Sequence, residues 1–134
     1  MADVKPPTRV SLTWDGDLRF RTGAGEPALV FDSDGKAGPS PMQALGYAVL
    51  SCMGIDIVHI LKKGRHPIEG LQAALVGARA HTEPRRFTKV EMTFTVRGNV
   101  PREAVERAVQ LSREKYCSAF NSMASDIEWI IRIQ

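Results

Sequence analysis

Ser40-Pro41-Met42-Gln43, then Ala44-Leu45-Gly46-Tyr47-Ala48-Val49-Leu50-Ser51-Cys52-Met53-Gly54-Ile55-Asp56-Ile57-Val58-His59-Ile60-Leu61, then Lys62-Lys63-Gly64, is the stretch around which the rest of the chain must organise. Ser40 is placed to cap a helix, Pro41 suits the first helical position, and Gln43 closes a capping box. Lys62 and Lys63 lie near the negative end of the helix dipole, and Gly64 follows as the C-cap. Met42 to Leu61 is 20 residues long, about the length that crosses a bilayer. It also holds Gln43, Asp56 and His59, and a carboxylate in hydrocarbon costs several kcal/mol. The expectation is a central helix, apolar nearly all round and therefore buried on more than one side.

Upstream, Thr8 to Trp14 alternates in β-branched and aromatic residues and predicts a strand. Asp15-Gly16-Asp17 turns it into Leu18-Arg19-Phe20-Arg21, and Pro27 to Phe31 predicts a third short strand. Asp32 to Pro39 reads as a loop by composition. Downstream, Ile68 to Thr82 and Phe87 to Arg97 alternate about a Glu83-Pro84-Arg85-Arg86 turn, predicting a longer hairpin. Gly98 to Pro101 leads into a helix from about Arg102 to Lys115, with Ala104, Val105, Ala108, Val109 and Leu111 as its apolar stripe. Cys117 breaks the chain before a short helix near Ser118–Met123, and Ile127 to Ile133 predicts a last strand. The expected order is βββ-α-ββ-α-α-β, an α+β fold in one domain over residues 1–134, preceded by a flexible segment at 1–7. So small a domain has difficulty covering so apolar a helix, and an intertwined homodimer would supply the missing surface.

The 134 residues suit one domain with a proper core, and 43% apolar with 25% charged residues is ordinary for a globular chain. Net charge is +3 and the pI about 9.1. The bases are interleaved with acids, as in Arg113-Glu114-Lys115, which describes a solvated helix face and not a nucleic-acid stripe. Met1 to Pro7 carries no apolar h-region, so a cytoplasmic location is expected. There, two cysteines are more often reduced, catalytic or redox-sensing than structural. No Gly-rich phosphate loop and no GxSxG is present. A Cys/His metal centre wants four closely spaced ligands; His59, His66 and His81 supply no such spacing, and no metal is expected.

Cys52 and Cys117, the only two cysteines, are the residues best suited to bond-making chemistry. A thiol reacts as its thiolate, so it needs a lowered pKa and access. Cys117 can draw on the N-terminal end of the helix that follows it. Cys52, mid-helix in an apolar run, has no such help, and a small core residue is an equally good reading of it.

Gly38-Pro39-Ser40-Pro41-Met42-Gln43, Ala48 to Cys52, Ile55 to Val58, Leu61 to Gly64 and Leu111 to Ser118, with its Lys115-Tyr116-Cys117, together resemble the OsmC/Ohr family of small cysteine-dependent proteins. The resemblance covers roughly residues 8–133. It implies an intertwined homodimer with sites at the subunit interface and a thiol-dependent hydroperoxide reductase or related redox protein. It further implies a peroxidatic thiol at Cys52, a resolving thiol at Cys117, no resident cofactor, and an external dithiol reductant of lipoyl type.

Two departures matter. Members that reduce organic hydroperoxides carry an arginine on an N-terminal β-segment and a glutamate in the first turn of the long helix. Here the first turn offers uncharged Gln43, and Leu29 to Asp34 holds no arginine, leaving Arg19 or Arg21 on the preceding strand. Gln43 and Arg21 are therefore the candidates for polarising thiol or substrate, and the chain resembles the OsmC-like branch more than the dedicated peroxidases. Two other readings stand beside this one: a non-catalytic dimer binding a small apolar ligand, and a redox sensor. No membrane or nucleic-acid partner is expected.

Overall fold

A computed structural model describes Val4–Gln134; Met1 to Asp3, part of the segment expected to be flexible, lie outside the described residues. Two compact units follow one another, one ending at Leu45 and the other formed by Gly46–Gln134.

The first unit holds an antiparallel sheet of β1 (Leu12–Trp14), β2 (Arg19–Thr22) and β3 (Val30–Asp32), in that order. Asp17 adopts a left-handed φ of 47° in the β1–β2 turn, beside Gly16 at 90°, as a tight reversal requires. The first strand is shorter than the alternation from Thr8 predicts. Its pairing with β2 runs only from Leu12 to Trp14. At Gly38 a Cβ would come within 1.9 Å of the Val30 carbonyl oxygen, so glycine alone lets the 33–39 loop return beside β3.

The helix α1 (Pro41–Lys63) begins and ends as its sequence dictates. The Ser40 hydroxyl oxygen accepts from the Gln43 N–H at 3.2 Å, and Gln43 Oε1 accepts from the Ser40 N–H at 3.0 Å, a complete capping box. At the far end His66 N–H donates to the Leu61 carbonyl and Arg65 N–H to that of Lys62, a Schellman closure. Its left-handed residue is Arg65 (φ 61°) and not Gly64. At Gly64 a Cβ would lie 3.1 Å from the His66 ring.

The second unit is built on β4 (Ile68–Arg79), β5 (Phe87–Gly98) and β6 (Glu128–Ile133), with β5 central, antiparallel to β4 and parallel to β6. Between β5 and β6 run α2 (Arg102–Leu111), a π-helical turn at Ser112–Tyr116 and the four-residue α3 (Ser118–Asn121). The expected uninterrupted α-helix to Lys115 is thus corrected. Cys117 N–H donates to the Ser112 carbonyl, five residues back, at 2.8 Å, and the extra residue is absorbed as a π turn.

The core is Val49, Met53, Ile57 and Leu61 of α1, Val90, Met92 and Phe94 of β5, and Val105, Ala108 and Val109 of α2. Gly46 and Gly54 let α1 approach β4, where added Cβ atoms would lie 3.5 Å from Leu75 and 3.8 Å from Leu71. The α1 stripe recurs every three or four residues, so one face is buried and only one. Tyr47 is 62% and Ile55 68% exposed, so one chain leaves part of this apolar helix uncovered. Within the second unit, the buried residues that accompany this stripe come from β5 and α2.

Among the described residues α1 is the one helix long and apolar enough to cross a membrane. Its buried stripe and its hydrogen-bonded Asp56 describe the core helix of a packed domain.

Candidate functional site

The two cysteines, 65 residues apart in sequence, meet. Cys52 lies at the middle of α1, half-buried, and Cys117 at the junction of the π turn and α3, completely buried. Both are free thiols. The Sγ atoms and a carboxylate oxygen of Asp56 all lie within 4.8 Å of one another.

Local structure explains why each group points inward. Cys52 and Asp56 are four residues apart on one helix and so share a face. Cys117 takes an extended conformation (φ −77°, ψ 101°) that stops the π turn and makes it the N-cap of α3, its Sγ accepting from the Phe120 N–H at 3.2 Å. Its carbonyl accepts from Asn121 Nδ2 at 2.8 Å, and the same amide nitrogen donates to the Arg113 carbonyl. Asn121 therefore holds the junction closed. Phe120 stacks against Trp129 of β6 with ring centroids 4.7 Å apart, pinning the short helix to the sheet.

Asp56 is fixed from the other side. The Ser112 hydroxyl, fully buried, donates to Asp56 Oδ2 at 2.8 Å. This bond ties α1 to the first residue of the π turn and aims the carboxylate at the sulfurs. Burial pushes the Cys117 thiol up from 9.0 to about 12; the Phe120 N–H opposes this, while Cys52 and the Asp56 charge add to it. The help expected from the following helix is thus present as one hydrogen bond and is outweighed by desolvation.

The other two candidates are in the first unit. Gln43 serves the α1 capping box through its side-chain oxygen. Arg21, on β2, is half-exposed and lies 3.8 Å from Asp15. Asp32 ends β3 as a buried carboxylate, accepting from the Ala37 and Asp34 N–H groups at 3.0 Å each. Those donors, Ala37 first, hold its pKa below the usual value. Sequence reasoning used Asp56 as a charge arguing against a membrane span and quoted it and Ser112 within the family-like segments, but gave neither a role at the site. The available signal for Asp56 was its position one helical turn after Cys52.

Between the outer face of α1 and β4, Tyr47, Leu50, Ile55, Val58, Leu71 and Ala73 line an open groove of about 710 Å³. Its surface is predominantly apolar.

This arrangement can do two kinds of chemistry. Two sulfurs within 4.8 Å can close to the roughly 2.05 Å of a disulfide by small side-chain and backbone movements. The sulfurs and carboxylate are also a donor set for a cation.

Comparison with known proteins gives these features a context. A family model described as OsmC-like protein matches residues 33–132, which include both cysteines, Asp56 and Ser112. The chain is 38% identical over 108 residues to Protein YhfA of Escherichia coli K12, covering 78% of this chain and 81% of that one. It superposes with a TM-score of 0.89 on a hypothetical protein from Aquifex aeolicus VF5, at 28% identity over 97% of this chain and 96% of that one. The organic hydroperoxide resistance protein OhrB of Bacillus subtilis shares the fold, with a TM-score of 0.68, 14% identity and coverage of 95% and 98%.

Proposed function

The chain belongs to the OsmC-like protein family, and on that premise we propose that it is a thiol-dependent hydroperoxide reductase using Cys52 and Cys117. The observation that carries this reading is the contact between the two sulfurs, in a fold shared with proteins named for hydroperoxide resistance. Exposure divides the labour. Cys52 is half-buried, whereas Cys117 is completely buried and its thiol pushed up to about 12. Cys52 is therefore the peroxidatic residue.

Its thiolate attacks the outer peroxide oxygen. The O–O bond breaks, an alcohol leaves after taking a proton, and Cys52 becomes a sulfenic acid. Cys117 then attacks the sulfenic sulfur, its proton joins the departing hydroxide as water, and a disulfide remains. An external dithiol, of lipoyl type, reduces that disulfide by exchange and leaves oxidised. No resident cofactor enters the cycle. Arg21 and Gln43 are the candidates for polarising the peroxide in place of the arginine and glutamate of dedicated members.

A second copy of the chain covers the outer face of α1, whose exposed Tyr47 and Ile55 and apolar groove suit an isologous interface. A reducing cytoplasm is the compartment in which the dithiol would be regenerated.

The test is peroxide consumption with a dithiol donor. Cys52→Ser is expected to abolish turnover of cumene hydroperoxide. Cys117→Ser, given peroxide without the dithiol, is expected to consume one equivalent and leave a sulfenic acid that dimedone traps. Undiminished turnover in Cys52→Ser would overturn the reading.

A further inference from the structure

Asp56 takes no part in the redox cycle, yet it is held beside both sulfurs by a fully buried hydroxyl. Two thiols and a carboxylate with ligand atoms within 4.8 Å of one another form a mixed sulfur and oxygen donor set converging on one point. From this convergence we propose that Cys52, Asp56 and Cys117 form a Zn²⁺ site that competes with the disulfide.

Tetrahedral zinc, with Zn–S near 2.3 Å and Zn–O near 2.0 Å, spaces its ligand atoms about 3.5–3.8 Å apart. The present limit of 4.8 Å is about one ångström wider, within reach of side-chain rotation. The sources of the ligands are those of a built site. Cys52 and Asp56 come from successive turns of one long helix, and Cys117 from the end of the π turn that faces it. Ser112 supplies what a ligating carboxylate needs, a hydrogen bond of 2.8 Å that holds the group in place through Oδ2. Sulfur donors exclude Mg²⁺ and Ca²⁺, which want oxygen, and favour a thiophilic cation. Three protein ligands leave a fourth position for water or a small thiol.

Binding exchanges two thiol protons, released to buffer, for one cation. The electron pairs that hold zinc are those that would attack peroxide or form the disulfide, so the metal-bound and oxidised states exclude one another. This inference uses the same sulfurs as the proposed cycle but does not depend on their turnover with peroxide.

Cobalt(II) is the probe, added without oxygen to the full-length reduced chain in a phosphine reductant. One Co²⁺ per chain is expected, with thiolate-to-cobalt charge-transfer absorption in the near ultraviolet and the intense visible bands of a tetrahedral site. One equivalent of Zn²⁺ should erase both. Wild-type protein oxidised with diamide should bind no cobalt, a result that needs no substitution and so no question of folding. Asp56→Asn, which keeps the shape of the side chain and the Ser112 bond, should weaken Zn²⁺ at least tenfold, and Cys117→Ser should remove most of the charge-transfer intensity. Absence of that absorption in the reduced protein, equal binding by the oxidised chain, or unchanged affinity in Asp56→Asn would each overturn the site. Peroxide turnover, assayed on metal-free protein, stands or falls separately.

Discussion

Cys117 shows how burial and hydrogen bonding compete at one atom. Its Sγ accepts the Phe120 N–H, which alone would favour the thiolate, but complete burial wins and holds the thiol near pKa 12. Iodoacetamide at pH 8 is therefore expected to label Cys52 first and to reach Cys117 only after denaturation; equal labelling would contradict this. A second consequence concerns stability. The unfolded chain loses the Cys117 proton near its ordinary value of 9.0 while the folded chain keeps it to about 12. The contribution is thus complete below about pH 9 and lost as pH rises from there towards 12. Urea midpoints should fall between pH 8.5 and 10.5, and fall less in Cys117→Ser. At Asp32 the sign is opposite, because its pKa is lowered from 3.8: the 32–39 loop keeps its anchor above about pH 4 and loses it on further acidification. At this scale the sequence pointed to both cysteines, through their settings and their family resemblance. It did not reveal that Asp56 and Ser112 complete their surroundings, because Ser112 reaches Asp56 only through the π turn.

The elements follow local rules closely where those rules are one-dimensional. Ser40, Pro41 and Gln43 announce the start of α1, and the capping box forms as written. Ser40→Ala should lower stability by about 1 kcal/mol, measured by chemical denaturation. Met53 is fully buried at the centre of the α1 stripe, and Met53→Ala should cost about 2–5 kcal/mol. The hairpin of β4 and β5 was legible from its alternation. The π turn was not, since a five-residue hydrogen bond at Ser112 leaves no periodic trace and the apolar stripe of α2 runs smoothly into it. Nor was the left-handed residue after α1, where a glycine stands one position before the residue that takes the positive φ. Burial of α1 within one chain is partial. Its run of apolar residues counts what could be buried, and one chain buries only the stripe from Gly46 to Leu61.

For the whole molecule, the order of strands and helices was readable, whereas their division into two three-stranded sheets was not, because no local signal tells which hairpin pairs with which. The parallel pairing of β6 with β5 depends on the crossover through α2 and α3. The uncovered face of α1 is the feature that most needs a second molecule. Ile55→Arg, on that face, is expected to yield a folded monomer by analytical ultracentrifugation where the parent chain is a dimer; a monomeric parent would contradict the proposed assembly. The chemistry of the molecule turns on whether the two sulfurs that meet here react together. The most direct measurement is intact mass with free-thiol titration, before and after brief exposure to one equivalent of an organic hydroperoxide. The account predicts the loss of two thiols and two mass units per chain, abolished in Cys52→Ser and in Cys117→Ser. Two thiols left intact, at unchanged mass, would contradict it.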